Sequence, residues 1–142
     1  MDEYGAYQAR AVTLGRRRVW MPDVLVAADS REPEPHADAD AEDIGVVAPA
    51  VRLVAEVVSG GRCHQDRVCK RREYARAGIP VYVIVDDYDN QGTVTVLTEP
   101  QPEKADWVGV HRVPYGTEVT IPEGPAKGFV IGETITGPKR KA

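Results

Sequence analysis

Hydrophobic and polar positions along the chain predict strands over most of its length and one helix. Val51-Arg52-Leu53-Val54-Ala55-Glu56-Val57-Val58 is nearly continuous in Val, Leu and Ala, the pattern of a strand covered on both faces. Val81-Tyr82-Val83-Ile84-Val85 has the same character and ends at Asp86-Asp87. Between them, Ser59-Gly60-Gly61 breaks the first strand, and residues 64–77 predict a helix closed by Gly78, with Pro80 just beyond. Upstream, residues 19–28 read as a strand rich in Val, Leu and Trp, in which Pro22 marks an edge or a bulge. Residues 1–18 are weakly patterned, with a strand expected at Tyr7–Leu14 and a turn at Gly15. Downstream, a turn at Asp89–Gly92 and the alternating run Thr93–Thr98 complete a hairpin with the second buried strand. A loop is expected over Pro100–Asp106. Strands are expected at Trp107–Val113, Glu118–Ile121 and Phe129–Ile135, and a polar, frayed tail over 137–142.

The order of strands, one helix and then more strands predicts an α+β fold with a mixed central sheet, and 142 residues suit a single domain with one core. No run of eighteen apolar residues is present, so no membrane span is expected. Met1-Asp2-Glu3-Tyr4 lacks the basic-then-apolar pattern of a secretory leader. Cys63 and Cys69 read as reduced thiols, as expected of a cytoplasmic protein. The net charge of −4 argues against a general nucleic-acid coat, but the charge is segregated. Residues 29–43 set seven acids against Arg31 alone, a net of −6, inside a segment, 29–48, expected to be a mobile acidic loop. Residues 62–76 carry a net of +4 through Arg62, Arg67, Lys70, Arg71, Arg72 and Arg76 against Asp66 and Glu73.

Two carboxylates stand out because they interrupt runs built for burial. Asp23 follows Pro22 and precedes Val24-Leu25-Val26, and Glu56 shares a strand face with Val54 and Val58. A buried, unpaired carboxylate costs several kcal/mol and needs a compensating cation. Taken singly, Glu56 reads equally well as a strand-end acid reaching solvent or Arg52, and Asp23 as an acid after an edge proline. Taken together they resemble ligands for a hard divalent cation such as Mg²⁺, which commonly takes one or two protein carboxylates and keeps several waters. Lys70 forms i,i+4 and i,i+3 pairs with Asp66 and Glu73, and such pairs are usually solvated. A regular helical wheel puts the core stripe at Val68 and Ala75 and turns Lys70 away from it, so pattern alone favours a surface lysine, with Tyr74 four residues on. His36, His64 and His111 are scattered, Cys63-His64 with Cys69 has no zinc spacing, and turn chemistry accounts for Asp86 and Asp87.

The series Pro22-Asp23, Ala55-Glu56-Val57-Val58-Ser59, Asp66-x-x-x-Lys70-x-x-x-Tyr74 and Ala77-Gly78-Ile79-Pro80-x-Tyr82-x-x-x-Asp86 resembles the Uma-type restriction endonucleases of the PD-(D/E)XK nuclease superfamily. The resemblance spans residues 19–135. It implies a restriction-endonuclease-like core, with a mixed central β-sheet, a flanking helix and C-terminal antiparallel strands. Asp23 would match the PD aspartate and Glu56 the acid of (D/E)XK, the two serving as metal ligands. The motif lysine belongs two residues after Glu56, where Val58 stands; in this family it lies on the next helix, at Lys70. Tyr74 and Asp66 would support the site, and Arg62, Arg67, Arg71 and Arg72 would contact phosphates. Family members carry a longer N-terminal region with a helix and its own acid, whereas twenty-two residues precede Asp23 here, so 1–18 is expected to be a shortened form. The implied activity is Mg²⁺-dependent hydrolysis of DNA phosphodiester bonds, with Mn²⁺ as the alternative ion. Two other readings stand beside it: a non-catalytic nuclease-fold module serving binding or assembly, and a small β-rich ligand-binding protein. Exposed edge strands are consistent with a homodimer.

Overall fold

The computed structural model describes residues 4–8, 12–13, 19–20, 22–28, 34–35, 44–47, 50–58, 60–62 and 64–140. In chain order the strands are β1 (Tyr4–Gln8), β2 (Val12–Thr13), β3 (Val19–Trp20), β4 (Val24–Ala28), β5 (Glu34–Pro35), β6 (Ile44–Val47) and β7 (Val51–Val58). A π-helical turn (Gln65–Cys69) leads into α1 (Lys70–Arg76). Then come β8 (Val81–Asp86), β9 (Thr93–Gln101), β10 (Asp106–Pro114), β11 (Val119–Thr120), β12 (Val130–Ile131) and a last helical turn, α2 (Glu133–Thr136).

The two strands predicted to be covered on both faces, β7 and β8, lie at the centre of a six-stranded sheet ordered β1-β4-β7-β8-β9-β10. They pair in parallel, Leu53 with Val81 through Val58 with Asp86, while the other ladders of this sheet are antiparallel. A parallel pair needs a crossover, and the π-turn and α1 supply it. α1 buries Tyr74 and Ala75 against Leu25, Val54, Val58, Tyr82, Ile84 and Leu97 on one face of the sheet. The opposite face packs Leu53, Val81, Val83, Val94 and Val96 against Val119, Ile121 and Ile131 from β11 and β12. Two covered faces explain why β7 and β8 read as unbroken apolar runs. The helix ends as its sequence predicts: Gly78 adopts φ +72°, its N–H meets the Ala75 carbonyl at 3.0 Å, and the Ile79 N–H meets the Tyr74 carbonyl at 3.2 Å. This is the Schellman pattern, with Ile79 and Tyr74 packed together in the core.

Several expected boundaries move. The strand expected at Tyr7–Leu14 is two pieces, β1 paired with β4 and β2 paired with β3 and β6. The strand expected over 19–28 divides around Pro22 into β3 and β4. β4 lies between β1 and β7, so Pro22 marks no sheet edge; it precedes the ladder, where a missing N–H removes no bond. The irregularity in this strand falls instead at Val26/Ala27. Within the expected acidic loop 29–48, β5 and β6 pair with each other, and the rest of the segment lies outside the described residues. The loop expected at Pro100–Asp106 shrinks to the 3₁₀ turn Pro102–Lys104, because β9 continues to Gln101 after β8 has ended and pairs onward with β10. The strand expected at Phe129–Ile135 stops at Ile131, beyond which the Gly132 carbonyl accepts the Ile135 and Thr136 N–H groups and starts α2. Cys69 is a free thiol, and Cys63 lies outside the described residues. No helix among the described residues is long and apolar enough to cross a membrane.

Candidate active site

Alternation along β7 sends Val54, Glu56 and Val58 toward α1, and Glu56 is the acid in that row. Its carboxylate is 3% exposed. Lys70 Nζ lies 3.0 Å from Glu56 Oε1 and 3.1 Å from Asp66 Oδ1, and Lys70 and Asp66 are each 2% exposed. The Tyr74 hydroxyl donates to Glu56 Oε1 at 3.0 Å. The Tyr82 hydroxyl, from β8, donates to the Asp66 backbone carbonyl at 2.8 Å, and the two tyrosine rings meet edge to face at 4.9 Å. Both contacts to Glu56 fall on Oε1, so Oε2 is the oxygen left for a further partner.

The solvated Lys70 favoured by pattern alone is therefore corrected. Val68, placed on the core stripe by the wheel, is 40% exposed, and Lys70 is buried. The wheel assumes 3.6 residues per turn throughout. The π-turn inserts one more residue and rotates the helix beyond it.

Among the described residues the cluster is electrostatically unbalanced, with two buried carboxylates and one ammonium. Burial pushes the Glu56 carboxyl up to about 7; the Lys70 charge and hydrogen bond oppose this, and the Asp66 charge adds to it. Burial, then the Glu56 charge, pushes the Tyr74 and Tyr82 hydroxyls upward as well, so both remain donors.

Asp23 stands just before β4. The β4–β7 register, Leu25 to Val54 and Val24 to Ala55, extends to set Asp23 opposite Glu56. Asp23 is exposed, and its Oδ2 accepts the Val57 N–H at 2.6 Å. The N–H and C=O of one strand residue point to the same side, so the Val57 carbonyl also faces the space beyond the end of β4. The extended register thus sets Asp23, exposed, beside Glu56, buried, on the neighbouring strand.

The basic residues divide. Arg67, Arg71 and Arg72 line an open concavity of about 450 Å³ with Val68, Lys104, Ala105 and Asp106. Arg67 grips Asp86 through two bonds, at 2.5 and 2.9 Å, and Arg71 meets Asp106 at 3.3 Å. Arg72 is exposed. The side chain of Arg62 lies outside the described residues. Three participants were not legible as such. Lys104 fell in an expected loop, Tyr82 looked like plain strand core, and Asp86, which also accepts the Tyr88 and Asp89 N–H groups, was explained by turn chemistry with only a supporting role left open.

A family model described as "Uma2: Putative restriction endonuclease" matches residues 3–131. The chain belongs to the Uma2 family. Among solved structures, a crystal structure described as "a putative nuclease belonging to DUF820" from Anabaena variabilis is similar with a TM-score of 0.58 and 18% identity. The alignment covers 84% of this chain and 60% of that one, so the chain spans three fifths of its neighbour's length. At that identity the likeness shows the fold, and it bears out the mixed-sheet, nuclease-like architecture expected from the motif series. No curated protein is significantly similar in sequence.

Nucleases of this kind usually employ divalent metals. Among the described residues no three His, Cys, Asp or Glu side chains converge as a ready-made cage. The donors at the edge of β7 nevertheless fit a hard cation: two carboxylates and a carbonyl, all oxygen, beside a cluster whose negative charge exceeds its positive.

Proposed function

We propose that this Uma2 chain is a divalent-metal-dependent endonuclease that hydrolyses DNA phosphodiester bonds. Family membership supports the nuclease class. The observation that carries the finer reading is the burial of Lys70 against Glu56, beside Asp23 in register, despite a sequence pattern that would leave the lysine in water.

In this reading Asp23 and Glu56 Oε2, with the Val57 carbonyl, hold Mg²⁺, or Mn²⁺ in its place. When bound, the ion supplies an activated water and neutralises charge on the scissile phosphate. Lys70 presents its ammonium to the same point in space from the helix rather than from the strand. A long stem makes the origin of the charge immaterial as long as the tip arrives there. Its task is to orient the attacking water and to stabilise negative charge as it develops, which is worth most where water is excluded. Tyr74 fixes the Glu56 carboxylate by occupying Oε1. Arg62, Arg67, Arg71, Arg72 and Lys104 contact phosphates, which positions a duplex without reading its sequence.

The test is plasmid nicking in Mg²⁺ by the wild type and by Glu56→Ala. The wild type is expected to convert supercoiled plasmid to nicked circles only when the ion is present, and the variant to lose that conversion. Equal nicking by both removes Glu56 from the mechanism.

A further inference from the structure

The link between β7 and α1 is not a plain helix. The Lys70 N–H reaches back five residues to the Gln65 carbonyl, so the backbone there makes a π-turn. Single π-turns inside helices recur at functional sites. Here the turn exposes Val68 and buries Lys70. Two contacts bear on it directly. The Tyr82 hydroxyl, fixed in the sheet, donates to the carbonyl of Asp66 inside the turn at 2.8 Å. The Asp66 side chain points the same way as Lys70: its buried Oδ1 has no aligned hydrogen bond and lies 3.1 Å from the ammonium.

This arrangement solves a problem that the lysine would otherwise face. Lysine is a flexible four-carbon stem with a compact charge, and one contact leaves it free to swing. Its other carboxylate neighbour, Glu56, is also a proposed metal ligand, and any cation sharing Glu56 would repel the ammonium. Asp66 supplies a second counter-charge, 3.1 Å from Nζ.

We infer that Asp66 and Tyr82 are positioning residues for Lys70: the Asp66 carboxylate anchors the ammonium beside Glu56, and the Tyr82 hydroxyl clamps the π-turn that delivers it there. The catalytic consequence rests on the nuclease reading above; the placement of Lys70 does not.

Two readouts on the full chain separate the parts. The first is acetylation of Lys70 during a brief exposure to N-hydroxysuccinimide acetate, measured by peptide mass spectrometry. Lys70 is expected to be protected in the wild type and in Asp66→Glu, and to label several-fold faster in Asp66→Asn and Tyr82→Phe. The second is plasmid nicking across a Mg²⁺ titration. Asp66→Asn is expected to lower kcat by about 10- to 100-fold, the usual loss for an outer-sphere partner, with the half-saturating Mg²⁺ concentration unchanged. Tyr82→Phe removes one oxygen from an otherwise intact core and keeps the test decisive should Asp66→Asn fail to fold. Unchanged Lys70 protection in Asp66→Asn or Tyr82→Phe overturns the inference, as does an Asp66→Asn loss that appears only in Mg²⁺ affinity. A wild type that nicks nothing defeats the nuclease reading, and the labelling result alone then decides the placement.

Discussion

Burial moves the Glu56 carboxyl up to about 7, even against the opposing pull of Lys70 and Tyr74. A folded value above the unfolded one means that the native state binds more protons between the two. Stability is then unaffected below the unfolded value of 4.5 and is lost as pH rises from there toward 7. The expected outcome is that wild type loses ground to Glu56→Gln over that window, by no more than about 3 kcal/mol. Urea unfolding of both proteins across the pH range checks it, and a difference that is flat or grows in favour of wild type contradicts it. Lys70→Met should cost about 3–5 kcal/mol near neutral pH, the usual consequence of leaving buried carboxylates without their partner. The loss should shrink in acid, where Glu56 takes up its proton. At this scale the sequence was partly legible. Glu56 announced itself by breaking an apolar run and is buried, whereas Asp23, singled out in the same way, is exposed just before β4. Lys70 did not announce itself: Val68 and Lys70 exchange inside and outside through a backbone feature that no residue type in Gln65–Cys69 specifies.

The elements were clearest where packing and punctuation agree. β7 and β8 are covered on both faces and read so, and Gly78 with Pro80 located the end of α1 correctly. Gly78 holds φ +72° with open space where a Cβ would stand, so Gly78→Ala meets no clash and costs only backbone strain. A loss of about 1 kcal/mol in thermal or urea unfolding is expected, within the usual left-handed penalty. A neutral result would mean that α1 ends otherwise in solution. The errors lie where elements are short or change partners. Pro22 misled because β4 begins just after it, in mid-sheet. Pro100 misled because β9 outlasts its ladder with β8 and continues against β10 alone. Neither event has a local residue signature, since each depends on where a neighbouring strand stops.

For the molecule as a whole, part of the basic stretch stays together in three dimensions. Arg67, Arg71 and Arg72 of the basic stretch come together with Lys104 at one concavity, although the net charge is −4. Arg67 and Arg71 are already matched by Asp86 and Asp106, which makes Arg72 and Lys104 the stronger candidates for releasing counterions on DNA. Arg72→Ala and Lys104→Ala should each weaken DNA binding uniformly across sequences. Each should also reduce the slope of log K against log salt by about 1. Fluorescence anisotropy at several salt concentrations measures both, and an unchanged slope removes that residue from the contact. Under the proposed function, Asp23 and Glu56 share a divalent cation. Isothermal calorimetry with Mn²⁺ tests this most directly, on the wild type, Asp23→Asn and Glu56→Gln. Saturable binding by the wild type in the millimolar range or tighter is predicted, lost in both variants; no heat from the wild type, or the same isotherm from all three, would contradict it.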